Sequence, residues 1–195
     1  MKKIIVAISG ASGAIYGVRL LEKLACVDGV ETHLAMSQTA TMNLGLETDW
    51  KPADVIALAD HHYKPTDIAA RIASGSFRTD GMVIAACSMK SLSAIVNSYA
   101  DNLLVRAADV CLKDRRRLIV SPRETPLHAG HCELFLKAAQ LGAIIAPPMP
   151  AMYARPETVD DIIDHTVGRW LDLLDIDSDF INRWKGAADK GAVTD

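Results

Sequence analysis

Residues 3–24 constrain the fold of this chain more than any other stretch. Ile4-Ile5-Val6-Ala7-Ile8 is an unbroken apolar run of strand length, as a strand covered on both faces requires. Ser9-Gly10-Ala11-Ser12-Gly13-Ala14 follows, and then Ile15, Val18, Leu20, Leu21 and Leu24 recur at helical spacing. The glycines permit a sharp turn and a close backbone approach to a ligand. The N–H groups that open the next helix lack intrahelical partners, a donor set that suits phosphate, and Ser9 and Ser12 add hydroxyls. The spacing is neither the Gly-x-Gly-x-x-Gly of dinucleotide folds nor a P-loop. On this stretch alone, a phosphate cradle and a simple tight corner both stand.

The strand-helix unit recurs along the chain. Residues 31–36 and the apolar runs at 82–86, 118–120 and 143–146 read as strands. Helical spacing marks 39–46, 92–96, 102–113, 130–140 and 159–174, the last entered through Pro156-Glu157-Thr158. Residues 51–77 read as irregular, with a helix expected at Thr66 to Ala73. This alternation predicts an α/β fold: a doubly wound, mostly parallel sheet flanked by helices, Rossmann-like, in a single domain over 1–195. A C-terminal helix and tail are expected from about residue 157.

Composition narrows the partners. A net charge of −3 gives no electrostatic reason for a nucleic-acid or membrane partner, and no stretch has the length of a membrane span. No signal peptide is read at the N-terminus. Cys26, Cys87, Cys111 and Cys132 lack CxxC pairing, which predicts a reducing, cytoplasmic compartment. No metal is expected: His61-His62 reads as part of a polar loop, and His128 and His131 have no carboxylate company. There is no Gly-x-Ser-x-Gly elbow and so no hydrolase triad.

Open parallel sheets bind ligands beyond the carboxyl ends of their strands. There this chain places Ser12, Ser37, Ser88, Ser91 and Arg123, a hydroxyl-rich set with one strong anion ligand. It suits a phosphorylated planar ligand. Strand two ends in Ser37 and Gln38 rather than in an acidic residue, which argues against NAD. Ser88 and Ser91 read equally as helix N-caps. Arg123-Glu124 reads either as a phosphate clamp beside a proton donor or as a surface ion pair.

Eight blocks in series resemble the UbiX-type flavin prenyltransferases. They are Ser9 to Ala14, Glu47 to Asp49, Ser74 to Phe77, Cys87 to Ser91, Arg106 to Val110, Pro122 to Leu127, Pro147 to Tyr153 and Arg155 to Asp161. The resemblance implies a flavoprotein fold and transfer of a dimethylallyl group from dimethylallyl monophosphate to N5 and C6 of reduced FMN. The prenylated FMN would serve a UbiD-type decarboxylase. By the same resemblance Gly10, Ala11, Ser12, Ser37, Ser88, Met89, Lys90, Ser91 and Arg123 hold FMN. Lys113, Glu124, Tyr153 and Arg169 hold the donor phosphate, and Arg106 and Glu47 belong to the site. Catalysis falls to Ser12, Glu47 and Glu124, without metal, in a homo-oligomer of dodecamer type with sites between subunits.

Three positions depart from the family pattern: Gln38 for lysine, Ala86 for proline and Ser91 for threonine. Two rival readings differ in chemistry. A cysteine-type decarboxylase on the same fold would carry a Pro-Ala-Ser-Ala-Asn-Thr stretch, which is absent. A non-catalytic FMN-binding carrier or subunit of an aryl-acid decarboxylase system would use the same strand ends.

Overall fold

The computed structural model describes residues 1–184 and Gly186; the remainder of the expected tail, Lys185 and 187–195, lies outside the described residues. Strand β1 (Lys2–Ile8) leads through the glycine turn into helix α1 (Ala14–Ala25), then β2 (Val30–Met36) and α2 (Gln38–Glu47). After these come α3 (Pro52–Ala57), β3 (His61–Tyr63), β4 (Gly81–Cys87), α4 (Met89–Val96) and α5 (Leu103–Lys113). The chain continues with β5 (Arg117–Pro122), α6 (Ala129–Gln140), β6 (Ile144–Ile145) and α7 (Val159–Leu173).

All six strands are parallel, in the order β3-β2-β1-β4-β5-β6. The chain first builds outward from β1 to β3, then returns to the other side of β1 with β4. That reversal puts a crevice between the carboxyl ends of β1 and β4, where ligands of open α/β sheets bind. Strand β4 is buried at every residue, as a central parallel strand must be.

Two cores flank the sheet. On one face Val18, Leu21 and Leu24 of α1 and Val167, Trp170 and Leu171 of α7 pack on Ile4, Val6 and Ile8. On the other, Leu92 and Ile95 of α4 and Leu104, Ala107 and Cys111 of α5 pack on Ile5, Ala7, Met82 and Ile84. Helix α7 is tied to α1 by Arg19, which donates to Asp160 at 2.8 Å and also to Asp164. Its N-terminus carries a full capping box: Thr158 Oγ1 accepts from Asp161 N, and the Asp161 carboxylate accepts from Thr158 N.

The expected doubly wound sheet is present, and the departures fall in 51–77. No helix spans Thr66 to Ala73; only a 3₁₀ turn forms at Arg71–Ala73. Ile68, one helical turn before the buried Ile72, is 64% exposed, so the apolar stripe the spacing suggested is not buried as a helix face. The region instead supplies α3, opened by Pro52, and β3. His61 therefore belongs to a strand rather than a loop. Asp60 fastens this edge by accepting from the Thr32 N–H at 2.8 Å and the Thr32 hydroxyl at 2.9 Å.

Candidate active site

The crevice at β1 and β4 opens into a cleft of about 310 Å³ lined by Gly10, Ala11, Ser12, Ser88, Met89, Arg123, Glu124 and Thr125. Its floor is set by Ser9, which is fully buried. The Ser9 hydroxyl donates to the Ala86 carbonyl at 3.0 Å and accepts the Ser88 N–H at 2.8 Å. Ser9 therefore joins the ends of the two strands and has no hydroxyl proton left for phosphate, contrary to the expectation from the turn alone. Ala86 stands at φ 59°, within an irregularity of the β4–β5 register between Ile84 and Cys87. Proline, fixed near −65°, has no access to this backbone.

Each glycine of the turn has its own reason. A Cβ on Gly10 would lie 2.7 Å from Thr39 Cβ, so the turn and α2 meet only because no side chain intervenes. Gly13 sits at φ 102°, the left-handed region that favours glycine. Two of the donors that open α1 are already taken. Glu47, at the end of α2, accepts from Gly13 N at 2.8 Å and Ala14 N at 3.3 Å. A carboxylate thus occupies the position expected for phosphate at this helix start, the charge favoured by the helix dipole.

The serines at the other strand ends are caps. Ser37 Oγ accepts from Ala40 N at 3.0 Å and opens α2; its hydroxyl proton remains to donate. Ser88 Oγ accepts from Ser91 N at 3.2 Å and donates to Ser91 Oγ at 3.1 Å, opening α4 at the cleft wall. Met89 lines the cleft and Lys90 is exposed on the first turn. Opposite, Arg123 Nε donates to the Ser12 carbonyl at 3.2 Å, which holds the guanidinium over the glycine turn. Glu124 is exposed beside it and accepts from its neighbour Thr125 N at 3.0 Å. Arg123 and Glu124 are not bonded to each other in the manner of a surface ion pair.

The remaining expected site residues lie elsewhere in the chain. Arg106 donates to the Ala73 carbonyl at 3.1 Å and to Asp109 at 2.7 Å. Lys113 pairs with Asp114 at 2.7 Å beside Gly75. Helix α5 leads into the start of β5, so Lys113 stands at the amino edge of the sheet, opposite Ser12; a seven-residue strand spans about 20 Å. Tyr153 and Arg169 form another group. The Tyr153 hydroxyl meets His165 Nε2 at 3.1 Å, and Arg169 donates to Asp172 at 2.7 Å. His165 is held below its usual range by burial first and by the Arg169 charge second, so it is neutral beside Tyr153. Gly168 makes room for Ile181, whose Cγ2 would be 2.5 Å from an added Cβ. Tyr16 packs against Trp170 at 6.0 Å, and Trp184 meets Tyr153 edge-on at 5.7 Å.

One grouping escaped the linear reading. Glu31 and His33 alternate along β2, and His61 lies opposite His33 on β3. Their ligand atoms lie within 4.8 Å of one another. The signal was Glu-x-His on one strand face; its third member became visible only with β3 in place.

A crevice at a sheet switch point, walled by two helix starts and one guanidinium, is where open α/β folds bind phosphorylated ligands. The family model described as Flavoprotein matches residues 1–171. The flavin prenyltransferase UbiX of Escherichia coli K12 is 57% identical over 189 residues, 96% of this chain and 100% of that protein. A dodecameric FMN-dependent UbiX-like decarboxylase from Escherichia coli O157:H7 superposes with a TM-score of 0.93 at 50% identity, covering 94% of this chain and 100% of the other. AnUbiX, in complex with FMN and dimethylallyl pyrophosphate, gives 0.91 at 46%, covering 95% and 98%. The chain belongs to the UbiX flavin prenyltransferase family.

Proposed function

We propose that this protein transfers a dimethylallyl group from dimethylallyl monophosphate to N5 and C6 of reduced FMN. The observation that carries this reading is the cleft in which Ser12, the α4 start and Arg123–Glu124 converge, in a chain that matches its prenyltransferase relative over 96% of its length. The donor set fits a flavin phosphate: hydroxyls, opening N–H groups of α4 and one cation. Gly10, Ala11, Ser12, Ser37, Ser88, Met89, Lys90, Ser91 and Arg123 form the flavin side of the site. Reduced FMN supplies the nucleophilic ring atoms.

The residues of the chain act on the donor and on protons. Cleavage of the allylic C–O bond of the monophosphate dianion, with a proton delivered to the leaving oxygen, gives an allyl cation and hydrogen phosphate, and Arg123, Lys113, Arg169 and the Tyr153 hydroxyl supply three charges and one donor to hold that phosphate. Glu124 hands a proton to the departing phosphate. Ser12 holds and moves the proton at flavin N5. Glu47 keeps the Ser12 turn in place through Gly13 and Ala14, and its carboxylate is a base held beside that turn. No step needs a metal, because fixed cations take the role of one.

Arg106 and Lys113 stand apart from the cleft of their own chain, so a complete site draws them from neighbouring copies in a dodecamer like that of the relative. No helix among the described residues is long and apolar enough to cross a membrane. We place the protein in the cytoplasm, acting as one flavin-binding unit that hands its product to a UbiD-type decarboxylase. Anaerobic incubation with reduced FMN and dimethylallyl monophosphate, in the presence of a chelator, tests this directly. The flavin should gain the mass of one prenyl unit. An unchanged flavin despite tight FMN binding identifies a carrier instead.

A further inference from the structure

Strand β2 carries a buried histidine that the prenyl transfer does not use. His33 has no exposed surface, and its Nε2 is a buried nitrogen without a hydrogen-bond partner. A buried nitrogen of this kind is destabilising if left unsatisfied. Its Nδ1 meets the Tyr63 hydroxyl at 3.0 Å, which fixes the ring orientation. Nε2 lies 3.2 Å from Glu31 Oε1 without the alignment of a hydrogen bond. His61 Nε2 meets the same oxygen at 3.0 Å, its ring stacked on His33 at 4.8 Å between centroids.

The geometry points to a binding site for a divalent transition-metal ion of the zinc class, held by Glu31 Oε1, His33 Nε2 and His61 Nε2. Two imidazoles and a carboxylate are ordinary zinc ligands, and with bonds of about 2.0–2.1 Å their atoms sit about 3.3 Å apart in a tetrahedron. Two of the three separations are near that value already. The third lies within 4.8 Å, and a turn of the His61 side chain, 40% exposed, closes it while His33 stays in place. Tyr63 supplies the outer hydrogen bond that orients a metal-bound histidine. With three protein ligands, a water completes the tetrahedron. His33 pairs with Ile5, three residues before the end of β1, so the site lies about 10 Å down the strands from the flavin cleft. It is separate from the transfer chemistry and pins the edge strand β3 to β2.

The test is equilibrium dialysis of the full chain against Zn²⁺, with Co²⁺ as a spectroscopic probe. The protein should bind one ion per chain, and the Co²⁺ form should show the visible absorption of a four- or five-coordinate site. His61→Ala should weaken Zn²⁺ binding at least tenfold and Glu31→Gln should abolish the Co²⁺ spectrum. Tyr63→Phe should cost about 10–100-fold, the range for an outer-shell partner. FMN binding, measured in parallel, should be unchanged in the His61 variant and so reports its folding. His128→Ala should leave Zn²⁺ binding intact. Absence of stoichiometric binding, or binding that survives His61→Ala or is lost in His128→Ala, overturns the proposal.

Discussion

Glu47 reaches back 34 residues along the chain to accept the Gly13 N–H at 2.8 Å. With the Ala14 N–H at 3.3 Å, this contact joins the end of α2 to the turn that carries Ser12. Glu47→Ala should destabilise the fold by about 1.5–3 kcal/mol, the range for a charged hydrogen bond, and Glu47→Gln by about 1 kcal/mol. Urea unfolding midpoints distinguish the two. If Glu47 also serves the chemistry, Glu47→Gln loses turnover out of proportion to its stability; matched losses would make it a cap alone.

Ser12→Ala should act on turnover more than on FMN affinity. A neutral hydrogen bond is worth about 0.5–1.5 kcal/mol, so FMN binding should weaken by roughly tenfold at most. Loss of a group that moves a proton costs about 10²-fold or more in rate. Titration of FMN and single-turnover kinetics measure the two separately, and equal losses would reduce Ser12 to a ligand.

Arg169 is pinned by Asp172 and lies one turn beyond His165 on α7, with Tyr153 across from that histidine. Arg169→Ala should weaken binding of dimethylallyl monophosphate by about 1.5–3 kcal/mol and leave FMN binding alone. Arg169→Lys should keep much of the affinity, because a lone phosphate needs charge more than a planar fork. Calorimetry with the donor decides; an alanine variant with full donor affinity returns Arg169 to the surface.

The α7 capping box should make that helix start acid-sensitive. The N–H groups of Thr158 and Glu157 hold Asp161 below the usual carboxylate range. With the folded value depressed, the contribution is complete above the unfolded value of about 3.9 and is lost as pH falls through the folded one. Amide exchange at Thr158 should therefore speed up below about pH 4 in the native protein, and Asp161→Asn should remove that pH dependence. Thr158→Ala should cost about 1 kcal/mol at neutral pH.

Burial pushes the Cys87 and Cys111 thiols up to about 12. At pH 8 a thiol reagent should modify at most two cysteines per native chain, Cys26 and Cys132, which are exposed in the protomer. Peptide mapping after labelling checks this. Modification of Cys87 before unfolding would show that the strand end beneath the cleft opens.

Burial pattern alone carried the frame of the fold. Ile4 to Ile8 and Met82 to Ala86 have no polar residue to turn outward, so each had to be a strand covered on both sides, and parallel order follows from the helices between them. The position of Ser12, Ser88 and Arg123 at strand ends was legible for the same reason. Their hydrogen bonds were not. Ser9 spends its hydroxyl between two strands, and Glu47 fills the helix start that a phosphate was expected to take. Both depend on a neighbour distant in sequence. Strand β3 was missed because an edge strand of three polar and aromatic residues has no periodicity; only pairing with β2 and the Asp60–Thr32 bonds make it a strand. Local apolar spacing determines which segments are strands and helices. Which polar groups are spent on the fold, and which remain for chemistry, is decided only when distant strands come within hydrogen-bonding distance.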